Sequence, residues 1–174
     1  DINKYRKDIL EVAKLKAINP RGFFSFLGPT DSGKTFSGIS FAINHLIHND
    51  MDRIIYVAPY NTILGQNGDV FKSIFGSQNV LEHHSSYDVF EDDSIDSNTQ
   101  EKLKKASENY DFPLILTSNV QFLETLFSHK TSKNRKLHNI TNSVIIVDEA
   151  HMLSYDSIIP IMFALTELII NFNC

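Results

Sequence analysis

A chain of 174 residues, 42% hydrophobic and 21% charged, has the size and composition of one globular domain with a buried core. Its formal net charge of −5 argues against a basic surface built to coat nucleic acid, while leaving local contacts open. Cys174 is the single cysteine, which excludes an internal disulfide and points to a reducing, cytoplasmic setting.

The polar opening, Asp1-Ile2-Asn3-Lys4-Tyr5-Arg6, does not read as a signal peptide. Tyr5, Ile9, Val12, Ala13 and Leu15 have helical spacing and predict a first helix ending before Asn19-Pro20. Phe23 to Leu27 is an apolar run that predicts a buried strand. Phe36, Ile39, Ile43, Leu46 and Ile47 then mark an amphipathic helix. A second buried strand is predicted over Arg53–Ala58, stopped by Pro59. Asn61 to Phe75 predicts a helix with Ile63, Val70, Ile74 and Phe75 on its apolar side, closed by Gly76. Val80-Leu81 reads as a short strand.

Ser85 to Asn98 is polar and acidic and predicts a solvated loop, with Thr99–Tyr110 a surface helix. Leu114 to Thr117 predicts another strand and Val120 to Phe127 a short helix, followed by a basic stretch with Lys130, Lys133, Arg135 and Lys136. Val144 to Val147 predicts a strand running into Asp148-Glu149-Ala150-His151. Ile158, Ile161, Met162, Leu165, Leu168 and Ile169 predict a last amphipathic helix. That segment holds Pro160 and Glu167 and is too short to span a bilayer, so no membrane partner is expected. Short apolar strands alternating with helices imply an α/β fold with a mainly parallel sheet.

Two segments carry chemistry. Gly28-Pro29-Thr30-Asp31-Ser32-Gly33-Lys34-Thr35 fits the phosphate-binding pattern G-x-x-x-x-G-K-[ST], between a predicted strand and a predicted helix. Free N–H groups and the dipole at a helix start favour an anion there. Lys34 is expected to reach the outer phosphates and the Thr35 hydroxyl to ligate magnesium. The second segment is the strand ending in Asp148-Glu149. Parallel sheets gather ligands at the carboxyl ends of their strands, which brings Asp148 towards the loop. Asp148 is expected to hold magnesium, and Glu149 to orient and deprotonate the water attacking a terminal phosphate. Asp148 could instead cap the turn that follows. The two segments together favour nucleotide hydrolysis. No Asn-Lys-x-Asp guanine-reading segment follows a strand, which disfavours a GTPase. Glu149 disfavours a small kinase, because kinases activate a substrate hydroxyl and not water.

Asp148-Glu149-Ala150-His151 after a phosphate loop resembles the superfamily two helicases of the DEAH type. A closer resemblance is to the helicase–nuclease of type I CRISPR systems. It is carried by Arg21-Gly22-Phe23-Phe24, by Arg53 to Pro59-Tyr60 with Ile63, Gln66-Asn67 and Val70-Phe71, and by Val80 to Ser85. Its fourth part runs from Thr117-Ser118-Asn119-Val120-Gln121-Phe122 to His151. The resemblance implies the first of two RecA-like P-loop NTPase lobes, with helices on both faces of the sheet. It implies an ATP- and magnesium-dependent motor on single-stranded DNA, serving CRISPR antiviral defence beside a second lobe and a CRISPR surveillance complex. Pro59, Tyr60, Asn61, Thr62, Thr117 and Gln121 match the DNA-contacting motifs, where backbone phosphates are the expected partners. Thr117 could instead cap the helix after it. His151 in the family couples the ATP site to DNA sensing. His83 and His84 invite a metal reading, but no Cys or carboxylate pair stands at ligand spacing, and structural roles are preferred.

Residues 1–174 are expected to be that first lobe, ending before the family's Ser/Thr-Ala-Thr motif and without the nuclease segment, the second lobe or its arginine finger. The competing expectation is a truncated, inactive nucleotide- or protein-binding module. Asp31 stands where the family carries Gly and is expected to weaken ATP binding by repelling the phosphates. The family order places the strand after the last helix between the Asp-Glu strand and the phosphate-loop strand. Only Phe172-Asn173-Cys174 follow that helix, so a gap in the sheet is expected there.

Overall fold

The computed structural model describes residues 2–29, 32–83, 105–128, 135–153 and 155–174. The helices are α1 (Ile2–Lys16), α2 (Lys34–His48), α3 (Asn61–Phe75), α4 (Asn119–Phe127) and α5 (Ile158–Phe172). The strands are β1 (Arg53–Ala58), β2 (Val80–His83), β3 (Leu114–Ser118) and β4 (Ser143–Val147). The strands form one sheet in the order β2-β3-β1-β4, with every neighbouring pair parallel.

Strand residues alternate between two cores, as the period of two requires. Ile54, Tyr56, Ala58, Leu114, Leu116 and Val144 face Ile39 and Ala42 of α2 and Leu64 and Phe71 of α3. Ile55, Val57, Leu81 and Ile115 face Phe122 of α4 and Leu168 of α5, with Tyr110, Phe112 and Ile140 between. A parallel sheet covered by helices on both faces is the expected RecA-like architecture.

Phe23–Leu27 departs from the expected strand. It is irregular, and Phe23, Phe24, Phe26 and Leu27 are all exposed, Leu27 by 93%. Among the described residues no strand pairs with the outer edge of β4, and Ile145, Ile146 and Val147 are only half-buried. Among the described residues no strand lies beside β4 for Phe23–Leu27 to extend a ladder from. An apolar run is not a strand without a neighbour to satisfy its N–H and C=O groups.

Two helical faces also differ from the periodic reading. In α1, Tyr5, Val12 and Leu15 are exposed and Ala13 is the buried residue. In α3, Leu64, Gly68 and Phe71 are buried, whereas Val70 and Ile74 are exposed. Gly68 lets α3 approach β2: a Cβ there would stand 2.4 Å from the Glu82 carboxylate. Glu82 is itself buried and pairs with Lys72 of α3 at 2.5 Å. The expected loop at 85–98 and most of the 99–110 helix lie outside the described residues; 105–109 are helical.

Candidate nucleotide site

The parallel register sets the site. Val57 of β1 stands beside both Thr117 of β3 and Val147 of β4, so the segments after these strands emerge on one edge of the sheet. That edge carries Pro59–Thr62, Ser118–Gln121 and Asp148–His151.

The phosphate loop feeds α2 through Gly33, whose φ of 83° is the left-handed turn that glycine adopts without strain. Lys34 opens the helix and its Nζ donates to the Gly28 carbonyl at 3.0 Å. The Lys34 ammonium is therefore folded over the loop it is expected to serve. Ser32 is 2% exposed, and its Oγ has no partner among the described residues. A Cβ on Gly28 would meet that Oγ at 3.0 Å, so the loop's interior is open only because residue 28 is glycine. An orphaned hydroxyl, a glycine-lined cradle and the start of a 15-residue helix suit an anionic phosphate. Thr30 and Asp31 lie outside the described residues.

Asp148 continues the β4 ladder through its N–H to the Val57 carbonyl at 2.8 Å. Its Oδ1 accepts from the Glu149 N–H at 2.9 Å, and its Oδ2 accepts from the Tyr56 hydroxyl. Thr35, on the first turn of α2, lies near the same phenol. Thr35 and Asp148 thus flank one hydroxyl, and their oxygens are the hard donors that Mg2+ takes. Burial first, then the hydrogen bond and charge of Asp148, push the Tyr56 phenol far above the ordinary tyrosine range.

Glu149 has φ 48° and ψ 46°, the left-handed region, at a cost of about 1–2 kcal/mol for a residue with a side chain. Its partly exposed carboxylate pairs with His151 Nδ1 at 3.2 Å. Asp148 is not an N-cap: the short helical turn after it is entered through Glu149 without a side-chain cap.

Tyr60 is the N-cap residue of α3, offers no side-chain cap, and is exposed, as is Thr62; Pro59 and Asn61 are half-buried. Thr117 is fully buried. Its hydroxyl bonds the His83 carbonyl and the Tyr110 hydroxyl, each at 3.1 Å, so it reaches neither solvent nor a strand of nucleic acid in this conformation. The cap of α4 is its neighbour Ser118, whose Oγ accepts from the Gln121 N–H at 3.3 Å. Gln121 is half-buried on the first turn. His83 joins Tyr110 at 3.0 Å and Lys136 Nζ at 2.6 Å, a structural network that ties the ends of β2 and β3 together. His84 lies outside the described residues.

A family profile for the DEAD/DEAH box helicases matches residues 11–172, and the chain belongs to that family. Among curated proteins it is similar to the putative CRISPR-associated nuclease/helicase Cas3 of Methanocaldococcus jannaschii, with 29% identity over 138 residues. The match covers 74% of this chain and 18% of that protein, so the chain spans less than a fifth of its relative's length. No helix among the described residues is long and apolar enough to cross a membrane.

Sequence reasoning missed Tyr56 and Asn67 as parts of the site. Tyr56 read as one more apolar residue of a buried strand. The available signal was its hydroxyl, which a buried tyrosine must give a partner.

Proposed function

We propose that residues 1–174 form the first lobe of an ATP- and Mg2+-dependent motor that moves along single-stranded DNA, acting in cytoplasmic CRISPR antiviral defence with a surveillance complex. The observation that carries the nucleotide half is the Tyr56 hydroxyl, which bonds Asp148 and has Thr35 of the phosphate loop near it, so that the two motifs approach one point. Gly28 to Thr35 wrap the phosphates by backbone N–H groups, and Lys34 exchanges the Gly28 carbonyl for the outer phosphate oxygens. When bound, Mg2+ neutralises phosphate charge, with Thr35 and Asp148 holding it. Glu149 orients the attacking water and takes its proton, and His151 fixes that carboxylate through their 3.2 Å contact. The cation that stabilises the transition state comes from the second lobe, so the 174 residues alone turn ATP over slowly.

The DNA half is supported by the shared edge of the sheet, where Pro59, Tyr60, Asn61 and Thr62 meet the backbone, and Gln121 and the α4 N-terminus lie beside them. Thr117 serves from the interior by holding β3 against β2. The defence role is supported by the Cas3 relative. A second reading, a binding module without turnover, is favoured by the unpaired Phe23–Leu27, which leaves the Gly28 end of the loop unanchored by the sheet.

Fluorescence anisotropy with single-stranded oligonucleotides of unrelated sequence tests the motor reading. Equal affinities that fall together in Asn61→Ala and rise or fall with ATP support it. Binding that depends on base sequence, or is indifferent to ATP, contradicts it. Glu149→Gln separates turnover from binding: the motor reading requires the residual turnover to vanish while ATP affinity is kept.

A further inference from the structure

We infer that Tyr56, held by Asn67 of α3, is a positioning residue that fixes Asp148 for a divalent cation and links that cation to the start of α3. The inference rests on the nucleotide-site reading above.

The Tyr56 ring is 1% exposed and packs edge-on against Phe71, with centroids 5.7 Å apart. A phenylalanine fills that space equally well, so packing does not explain the hydroxyl. A phenol has one proton to give and two lone pairs to offer. The proton goes to Asp148 Oδ2. One lone pair receives Asn67 Nδ2 at 3.0 Å. The two hydrogen bonds of this hydroxyl are therefore spent on a candidate cation ligand and on α3. Asp148 is held at both oxygens, Oδ1 by the Glu149 N–H and Oδ2 by the phenol. Each oxygen keeps a second lone pair for a cation. Donors of this kind fix the orientation of a ligating carboxylate, and their loss typically weakens metal binding tenfold or more.

The link to α3 follows from the chain. Asn67 lies on the helix whose first turn carries Asn61 and Thr62, and α3 is a single 15-residue helix. A helix moves as a unit, so nucleic acid seated on its first turn displaces Asn67 with it. The phenol that Asn67 holds passes that displacement to Asp148. A tyrosine satisfied for stability alone would leave cation affinity untouched.

The test is Mn2+ affinity, read by electron paramagnetic resonance in the presence of a non-hydrolysable ATP analogue. It is run on the chain and on Tyr56→Phe, Asn67→Ala and Asp148→Ala, with thermal melting to confirm that each is folded. Tyr56→Phe is expected to weaken Mn2+ about tenfold while analogue affinity in chelator is unchanged. Asn67→Ala, which leaves the phenol in place but unheld, is expected to weaken it less. A thymidine oligonucleotide is expected to shift Mn2+ affinity in the wild-type chain and not in Asn67→Ala. Wild-type affinity in Tyr56→Phe alongside a loss in Asp148→Ala overturns the positioning role and leaves the site reading standing. Wild-type affinity in Asp148→Ala overturns the site reading, and the inference with it. An equal oligonucleotide shift in wild type and Asn67→Ala overturns the link through α3.

Discussion

Two glycines of α3, one turn apart, should respond to alanine with opposite signs. Replacing a helical glycine by alanine ordinarily stabilises by about 1 kcal/mol, because alanine loses less backbone entropy. A Cβ on Gly65 meets nothing within 4 Å, so Gly65→Ala should gain most of that. A Cβ on Gly68 would stand 2.4 Å from both Cδ and Oε1 of Glu82. Either α3 lifts off β2, at the roughly 1–3 kcal/mol of an overpacked core, or the carboxylate swings away from Lys72. The second course leaves a 2%-exposed carboxylate without the Lys72 ammonium, which costs about 3–5 kcal/mol. The cheaper course prevails, and after the propensity gain Gly68→Ala should lose up to about 2 kcal/mol. Urea unfolding of the two variants, each against the parent chain, reads the contrast. Melting temperatures should move by roughly 2–4 °C per kcal/mol, upward for Gly65→Ala and downward for Gly68→Ala. A Gly68→Ala variant as stable as Gly65→Ala would refute the close approach of α3 to β2. The approach matters for function because it sets where Asn67 and the first turn of α3 lie over the site.

Alkaline titration probes the other core. Burial raises the Tyr110 phenol to about 12, from an ordinary 10.0. Between those values the unfolded state has released a proton that the folded state keeps, so stability falls as pH rises and is fully present below pH 10. Tyr110 contributes about 3 kcal/mol of loss over that window, beside the share of the likewise raised Tyr56, and Tyr110→Phe should remove that contribution; a fall in the variant equal to the parent's contradicts the burial argument.

The elements most legible in the sequence were those whose signal is local. Arg53–Ala58 and Asn61–Phe75 have the predicted bounds because Pro59 and Gly76 punctuate them and their apolar content is dense. The faces were less legible. Ile63, Val70 and Ile74 outweigh Leu64 and Phe71 in any periodic count, and the residue that fixes the contact, Gly68, carries no hydrophobic signal at all. Phe23–Leu27 had every local mark of a strand, but strandhood depends on a neighbour, and the neighbour is not encoded in those five residues. At the site, the Gly28–Thr35 loop and Asp148-Glu149 announced themselves by spacing. Tyr56 and Asn67 did not, since they join the site only when β1, α3 and β4 are packed. The alternative that Thr117 caps α4 failed for the same reason: its neighbour Ser118 is the cap, and only the register shows which of the two faces the core.

The central claim is that Gly28–Thr35 and Asp148 form one nucleotide site, and titration of ATP with Mg2+ against the chain and Lys34→Ala tests it most directly. The charge-assisted contacts of the Lys34 ammonium with phosphate are worth about 1.5–3 kcal/mol. Lys34→Ala should therefore bind ATP roughly 10- to 100-fold more weakly than the parent chain while melting at the same temperature. Equal affinity in the two proteins would contradict the site.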